Sequence, residues 1–260
     1  MVRWTDLEPE ESILLALNHA GPRPIEGSQD DKRHWSERFA DACAVAIGQQ
    51  LKKSPLLKNK TIAPLAIGEG TESLVPLGKE TSKRIDVIVV DRILGLEVGI
   101  SLKGLNFRDR RSGNYDKNVT GRLYELGDEI RLVHEHLPHA FMTGIFFLPL
   151  ESTVDKSEAA NSSFARTVLK LRERTGRLDA ALSSQAGRCD SSYVALYSTG
   201  EEGLGFPAGL LRLVNVATMV PPRRGRPQIL NTISLDLAVA EIVAGATHSD
   251  EIDWSEPEPD

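Results

Sequence analysis

Two short apolar runs constrain this chain more than any other feature, because together they predict a β-hairpin in the protein interior. Residues 84–90 are RIDVIVV, and residues 94–103 are LGLEVGISLK. In the second run Val98, Ile100 and Leu102 share one parity, so a strand here has one apolar core face. The opposite parity carries polar and charged residues. The alternation therefore predicts a strand with a second, charge-bearing face.

Asp86, Glu97 and Lys103 are the charged residues that this hairpin would gather. A turn at residues 91–92 places Asp86 opposite Glu97, whereas a turn one or two residues later places it opposite Gly99 or Ser101. Two carboxylates can hold Mg²⁺, which polarises a phosphate and acidifies a bound water. A lysine adds positive charge beside the transition state. Charges on a solvated strand face are the alternative explanation.

Helices and strands are predicted on both sides of the hairpin. Residues 34–53 have the spacing of an amphipathic helix, and residues 61–67 have the composition of a broken strand. A second helix is predicted at about 119–136, followed by an apolar strand at 140–149. The predicted order is therefore helix, three strands, helix, strand.

This order, with Asp86 on the second strand and Lys103 on the third, resembles the PD-(D/E)xK nuclease superfamily. That superfamily includes restriction endonucleases, Holliday-junction resolvases and phage-defence effectors. The resemblance covers about residues 34–150. It implies an α/β fold with a restriction endonuclease-like core, in which Asp86 binds metal and Lys103 is the catalytic lysine.

The chain departs from the family pattern at one acidic position. The family places that acid two residues before the lysine, where this chain has Ser101. Two carboxylates are candidates to replace it: Glu97, from the same strand face, or Glu37, from the first helix. Asp86 and Glu97 are the first choice as metal ligands, and the expected cofactor is Mg²⁺ or Mn²⁺.

Charge is distributed unevenly along the chain, although its net value is −6. Residues 1–31 hold seven acidic and two basic residues, and residues 248–260 hold six acidic residues and no Lys or Arg. The segment between them has 24 acidic and 29 basic residues. This mildly basic body favours DNA as a partner.

Two basic segments are candidate nucleic-acid contacts. The first is a loop that follows the catalytic lysine, and the second is a proline-flanked cluster near residue 223. Their Arg and Lys side chains are suited to phosphate contacts. The expected contact residues are Asn106, Arg108, Arg110, Arg111, Lys117, Arg122, Arg223, Arg224 and Arg226. A solvated connection explains the second cluster equally well.

Four parts are predicted along the chain. Residues 1–31 form an N-terminal helix and linker, 32–150 the nuclease-like core, 151–247 an α/β extension of the same mixed sheet, and 248–260 an acidic tail. No run approaches the length of a membrane span and the first residues lack a signal core, so we expect a cytoplasmic protein with no membrane partner.

The sequence thus predicts a metal-dependent endonuclease of the restriction or anti-phage kind that hydrolyses phosphodiester bonds in DNA. One alternative is a catalytically degenerate nuclease-fold protein that binds nucleic acid or serves as an adaptor subunit. Another is an RNA-cleaving member of the fold. The acidic tail contains Ile252 and Trp254 and is typical of a docking peptide, so a partner subunit or a homo-oligomer is also expected.

Overall fold

A six-stranded sheet between two layers of helices organises the chain in the computed structural model. The structure describes residues 3–68, 73–77, 81–177, 185–201 and 203–249. Residues 250–260, which make up nearly all of the predicted acidic tail, lie outside the described residues. The α/β class predicted from the sequence is confirmed.

The described residues contain five α-helices and eight β-strands. The helices are α1 (Glu11–Ala20), α2 (Gln29–Lys52), α3 (Val119–His136), α4 (Ser163–Arg172) and α5 (Leu235–Ser249). The strands are β1 (Thr61–Ala63), β2 (Ser73–Pro76), β3 (Ser82–Ile85), β4 (Val87–Asp91), β5 (Gly95–Gly104), β6 (Phe141–Pro149), β7 (Ser191–Tyr197) and β8 (Leu211–Asn215). Short 3-10 helices occupy Trp4–Asp6, Pro55–Leu57, Asp116–Asn118, Leu150–Thr153 and Ile229–Asn231.

The large sheet is mixed, with the order β1-β4-β5-β6-β7-β8. Its first three strands are antiparallel, β5, β6 and β7 are parallel, and β8 is antiparallel to β7. Parallel neighbours need a crossover, which α3 and α4 provide. The elements α2, β1, β4, β5, α3 and β6 follow one another in the predicted order. Between β1 and β4 the chain inserts the β2–β3 hairpin, which was not predicted.

Both faces of the sheet are buried. Residues of α1, α2 and α5 form a core with Val98, Ile100 and Leu102 on one face. On the other face α3 and α4 share a core with Phe146. The predicted polar face of β5 is therefore covered rather than solvated, and Ser101 on that face has no exposed surface.

The register of β4 and β5 decides which charged residues meet. Val87 pairs with Ile100, and a bulge leaves Glu97 opposite no residue of β4. Continuing this register one residue before Val87 places Asp86 opposite Ser101, not opposite Glu97. Of the three partners that the sequence allowed for Asp86, the structure thus selects the last.

The hairpin turn is three residues long, at 92–94. The Asp91 carboxylate accepts hydrogen bonds from the N–H groups of Ile93 and Leu94 at 2.7 and 3.0 Å. Gly95 follows with a φ of 82°, a conformation that glycine adopts without strain. This loop pairs Asp91 with Gly95, and the bulge at Glu97 shifts the pairing by one more residue, so that Val87 meets Ile100.

Two predicted boundaries were wrong for local reasons. The linker expected to extend to residue 31 ends earlier, because Ser28 caps α2: its hydroxyl accepts the Asp31 N–H at 3.1 Å. The strand expected over 84–90 is split by a bend at Asp86, and its first part pairs with β2. Among the described residues, no helix has the length and apolar character needed to cross a membrane.

Candidate active site

A cleft of about 790 Å³ opens beside the end of β5, between α2, the loop that follows β5 and the start of α3. Among the described residues, eight Lys or Arg residues and three acidic residues line this basic cleft. The excess of cationic over acidic side chains favours an anionic ligand. The cationic residues are Lys32, Arg33, Lys103, Arg108, Arg110, Arg111, Lys117 and Arg122, and the acidic residues are Glu37, Asp86 and Asp109.

Asp86 and Lys103 both line the basic cleft. Asp86 occupies the bend before β4, where its Oδ2 accepts a hydrogen bond from the Leu102 N–H at 2.5 Å. Lys103 lies one residue further along β5, with 13% of its side chain exposed. Strand pairing therefore brings an aspartate and a lysine into one polar site.

Glu37 contributes a second carboxylate to the same cleft. It lies on α2, with 59% of its side chain exposed, and its Oε1 is 3.8 Å from the Nε of Arg33. Its exposure leaves the carboxylate accessible to a ligand in the cleft. α2 thus contributes an acid to the cleft, and metal binding by Glu37 stays a prediction.

Glu97 lies elsewhere and is not among the described residues that line the cleft. Only 7% of the residue is exposed, and its carboxylate makes a short contact with the ammonium group of Lys60. The same ammonium group lies 2.8 Å from a carboxylate oxygen of Asp91. The bulge at Glu97 directs its side chain into this ion-pair cluster near the hairpin turn, and the structure does not bring it together with Lys103.

The donor set of the cleft determines which metal it suits. Among the described residues, no group of three or more His, Cys, Asp or Glu side chains is placed to hold a metal ion. Asp86 and Glu37 nevertheless offer two hard oxygen ligands on one cleft. Mg²⁺ is often held by one or two carboxylates, with waters and substrate phosphates as its other ligands. The chemistry of these two oxygen ligands therefore suits Mg²⁺ or Mn²⁺, and a metal ion in the cleft stays a prediction.

Most of the predicted nucleic-acid contacts on the first basic segment reach the cleft. Arg108, Arg110, Arg111, Lys117 and Arg122 are exposed and line it. Their contact with nucleic acid stays a prediction.

Asn106 lines the cleft but is buried, and its side-chain amide is used internally. Its Nδ2 donates to the Ser36 hydroxyl at 3.2 Å, and its Oδ1 accepts from the Tyr197 hydroxyl at 3.0 Å. The amide therefore connects α2 to β7, which is a structural role. Its contact with nucleic acid stays a prediction.

The second basic segment lies outside the cleft lining. Arg224 is 3.5 Å from a carboxylate oxygen of Glu158, and the guanidinium group of Arg226 lies over the Phe206 ring at 4.5 Å. The backbone carbonyl of Arg223 accepts the Ser162 N–H at 2.7 Å. All three arginines are exposed. They form a separate surface whose contact with nucleic acid stays a prediction.

The loop that carries the cleft arginines is fixed by its own ion pair. The Asp109 carboxylate makes a short contact with the Lys117 ammonium group and accepts the Ser112 N–H at 2.9 Å. The Lys117 contact and the Ser112 hydrogen bond lower the pKa of Asp109 well below its usual range. Asp109 is therefore ionised at neutral pH and cross-links the loop through Lys117 and Ser112.

A buried cluster that the sequence did not reveal supports the cleft wall. Glu151 accepts hydrogen bonds from the Tyr115 hydroxyl, from Arg23 at 2.6 Å and from Arg108 at 3.3 Å. Burial alone would raise the pKa of Glu151, but these three groups outweigh burial and hold the pKa below its ordinary value of 4.5. The partners are far apart in sequence, so no local pattern indicates the cluster.

Glu129 is a second residue that the sequence did not single out. It is 8% exposed, and its Oε2 lies 3.4 Å from the ammonium group of Lys103. A signal was present, because Glu129 interrupts the apolar stripe formed by Leu126, Ile130 and Val133 on α3. A carboxylate in such a stripe is buried when the helix docks and therefore needs a partner.

Comparison with known proteins found no relative: the chain matches no family model, no curated protein and no solved structure. The proposed function therefore rests on the cleft and its residues.

Proposed function

We propose that the protein is a metal-dependent endonuclease of the restriction or anti-phage kind that hydrolyses phosphodiester bonds in DNA. Its restriction endonuclease-like core would comprise α2, β1, β4, β5, α3 and β6. One observation carries the proposal: Asp86 and Lys103 meet in a cleft whose Lys and Arg residues outnumber its acids. Such a cleft attracts a polyanion and places a carboxylate and an ammonium group beside it.

The side chains have distinct roles in this proposal. The Lys103 ammonium group offsets negative charge that develops on the phosphate or orients the attacking water. Asp86, with Glu37 as the second carboxylate, would hold Mg²⁺ or Mn²⁺, which when bound polarises the phosphate and lowers the pKa of a bound water. The Leu102 N–H keeps the Asp86 carboxylate in place at 2.5 Å.

The wall of the cleft binds the rest of the substrate. Arg110 and Arg111 are exposed on the loop after β5, and Arg122 is exposed on the first turn of α3. Contacts from these side chains to phosphates fix the position of the backbone but not the base sequence. The scissile phosphate then lies next to Asp86 and Lys103.

A cleavage assay tests the proposal. Purified protein is incubated with plasmid DNA or with RNA, in the presence of Mg²⁺, Mn²⁺ or EDTA. We expect cleavage of DNA with either metal and no cleavage with EDTA. Cleavage of RNA alone would change the substrate class, and DNA binding without cleavage under any condition would contradict the assignment as an enzyme.

A nuclease-fold protein that binds nucleic acid without cutting it is the second candidate. Two observations favour it: Ser101 occupies the position of the expected acid, and the Glu97 carboxylate contacts Lys60 instead of lining the cleft. The basic wall would then serve binding alone. The same assay separates the candidates, because only the enzyme requires metal for a change in the DNA.

A further inference from the structure

One carboxylate oxygen of Glu129 lies close to the ammonium groups of two lysines. Its Oε2 lies 3.4 Å from the ammonium group of Lys103 and 3.8 Å from that of Lys83. Lys103 comes from β5, and Lys83 comes from the inserted β3 strand. The carboxylate therefore joins α3, the sheet and the inserted hairpin at the back of the basic cleft.

The second oxygen of Glu129 has a different environment. Oε1 is buried and has no hydrogen-bond partner among the described residues. A buried carboxylate is costly unless it is paired, so most apolar stripes exclude one. Its position in the core beneath α3 is explained by the cationic groups that it meets there.

The β5 position that faces Asp86 carries no charge. Ser101 is fully buried, and its hydroxyl also has no hydrogen-bond partner among the described residues. No carboxylate on β5 is thus next to Lys103, since Glu97 is paired with Lys60. Glu129 supplies the negative charge from the helix layer instead of the strand.

We propose that Glu129 is the positioning residue of Lys103: it anchors one donor of the ammonium group and leaves the remaining donors directed at the cleft. This inference rests on the proposed nuclease function. A lysine has a flexible four-carbon stem and three donors, so an anchor on one side restricts the ammonium group without consuming it. Such restriction raises the rate of the chemical step more than it affects substrate affinity.

The test compares Glu129→Gln and Glu129→Asp with wild type, with Mg²⁺ as cofactor. For each variant the cleavage rate per folded protein, KM, DNA affinity in EDTA and thermal melting are measured. We expect kcat to fall about 10- to 100-fold in Glu129→Gln, the range typical of partners that orient a functional ligand, with KM and DNA affinity close to wild type. Glu129→Asp keeps the charge and should retain more activity than Glu129→Gln.

Two control variants separate this role from stability. Glu135→Gln removes an exposed carboxylate from the same helix, and Lys83→Met removes the other lysine that contacts Glu129. Both should keep kcat within about threefold of wild type. A purely structural role predicts lower melting temperatures but an unchanged kcat per folded protein in the Glu129 variants, and that result would overturn the inference.

Further outcomes separate the inference from the proposed function. If Glu129→Gln does not fold, Glu129→Asp is compared with wild type instead. Its shorter side chain withdraws the carboxylate from Lys103, so kcat should fall, although by less than is expected for Glu129→Gln, and wild-type kcat in that variant overturns the positioning role. If wild type fails to cut DNA, the proposed nuclease function itself fails and Glu129 has no reaction to support. If Lys103→Met cuts DNA as well as wild type, Lys103 has no role in cleavage and the positioning role of Glu129 is lost with it. If Lys103→Met alone is impaired and both Glu129 variants are normal, only the positioning role is lost.

Discussion

At the scale of the residue, the charged side chains of the β4–β5 region have sharply different surroundings. Asp86 and Lys103 line a cleft, whereas Glu97, which is on the same strand as Lys103, is buried in an ion pair with Lys60. The sequence alone does not show that their environments differ, because each is a charged residue in or beside an apolar run. The structure separates them by what they contact.

We expect Asp86→Asn and Lys103→Met each to lower cleavage by about 100-fold or more. Asp86→Asn keeps side-chain size and an acceptor for the Leu102 N–H, so its thermal melting should change little. Lys103→Met removes one of the two ammonium groups beside the buried Glu129 carboxylate, so it should also lower the melting temperature, and its cleavage is measured per folded protein. The matched controls are Asp128→Asn and Lys58→Met, which alter exposed residues outside the cleft lining. A variant of Asp86 or Lys103 that melts normally and cuts at the wild-type rate would remove that residue from the site.

Glu37 and Glu97 should respond in opposite ways to substitution by Gln. Glu37→Gln should lower cleavage and leave stability unchanged, because its side chain is 59% exposed in the cleft. Glu97→Gln should lower the free energy of unfolding by about 2 kcal/mol, because it removes a charged partner from Lys60. Cleavage kinetics and urea unfolding measure the two effects. Loss of cleavage in a normally stable Glu97→Gln protein would restore Glu97 as a metal ligand.

At the scale of the element, the segments at the cleft wall are connected by contacts between residues far apart in the sequence, not by local turns. Arg23 precedes α2, Arg108 and Tyr115 belong to the loop after β5, and Glu151 follows β6. The carboxylate of Glu151 connects all three segments. One buried acid therefore links two cleft-lining residues, Arg108 and Tyr115, to Arg23.

The stability that Glu151 contributes should be lost in acid. Its pKa is lower in the folded protein than its ordinary value of 4.5, so the folded state favours the ionised form. The contribution is complete above about pH 5 and decreases as the pH falls through the lowered pKa of the folded state. Glu151→Gln should melt earlier than wild type at pH 7, and the difference should narrow toward pH 3. Melting curves across this pH range check the prediction, with Glu135→Gln as an exposed control; a constant difference would contradict it.

At the scale of the whole molecule, charge is segregated between a basic body and acidic ends. The net charge of −6 conceals a cleft with eight cationic and three acidic lining residues. Local charge governs the capture of a polyanion, because salt screens interactions beyond about 10 Å. An acidic protein can therefore have a nucleic-acid-binding face.

DNA affinity should fall steeply with salt, because phosphate contacts release counterions. Arg110→Ala and Arg111→Ala should each weaken binding and lower the slope of log K against log salt by about 1. Arg131→Ala is the matched control, since Arg131 is exposed on α3 and pairs with Asp128 away from the cleft. Binding titrations at several salt concentrations in EDTA measure the slope. An unchanged slope in both cleft variants would place the phosphate contacts elsewhere.

The sequence by itself determined the elements that periodicity encodes. The stripe of α3 and the apolar run of β6 predicted those elements to within one residue of their observed bounds. The alternation in β5 correctly separated Val98, Ile100 and Leu102 from the opposite face. These features depend on neighbours a few positions apart, which is the range over which hydrophobic spacing carries information.

Only the tertiary structure decided which charges meet. The turn at 92–94 and the bulge at Glu97 together placed Asp86 opposite Ser101, and the Glu97 carboxylate contacts Lys60 instead. The contact between Glu129 and Lys103 spans two layers, so its formation requires α3 to dock on the sheet. Register and docking are fixed by packing over the whole core, because a shift of one residue moves every side chain of a strand to the other face.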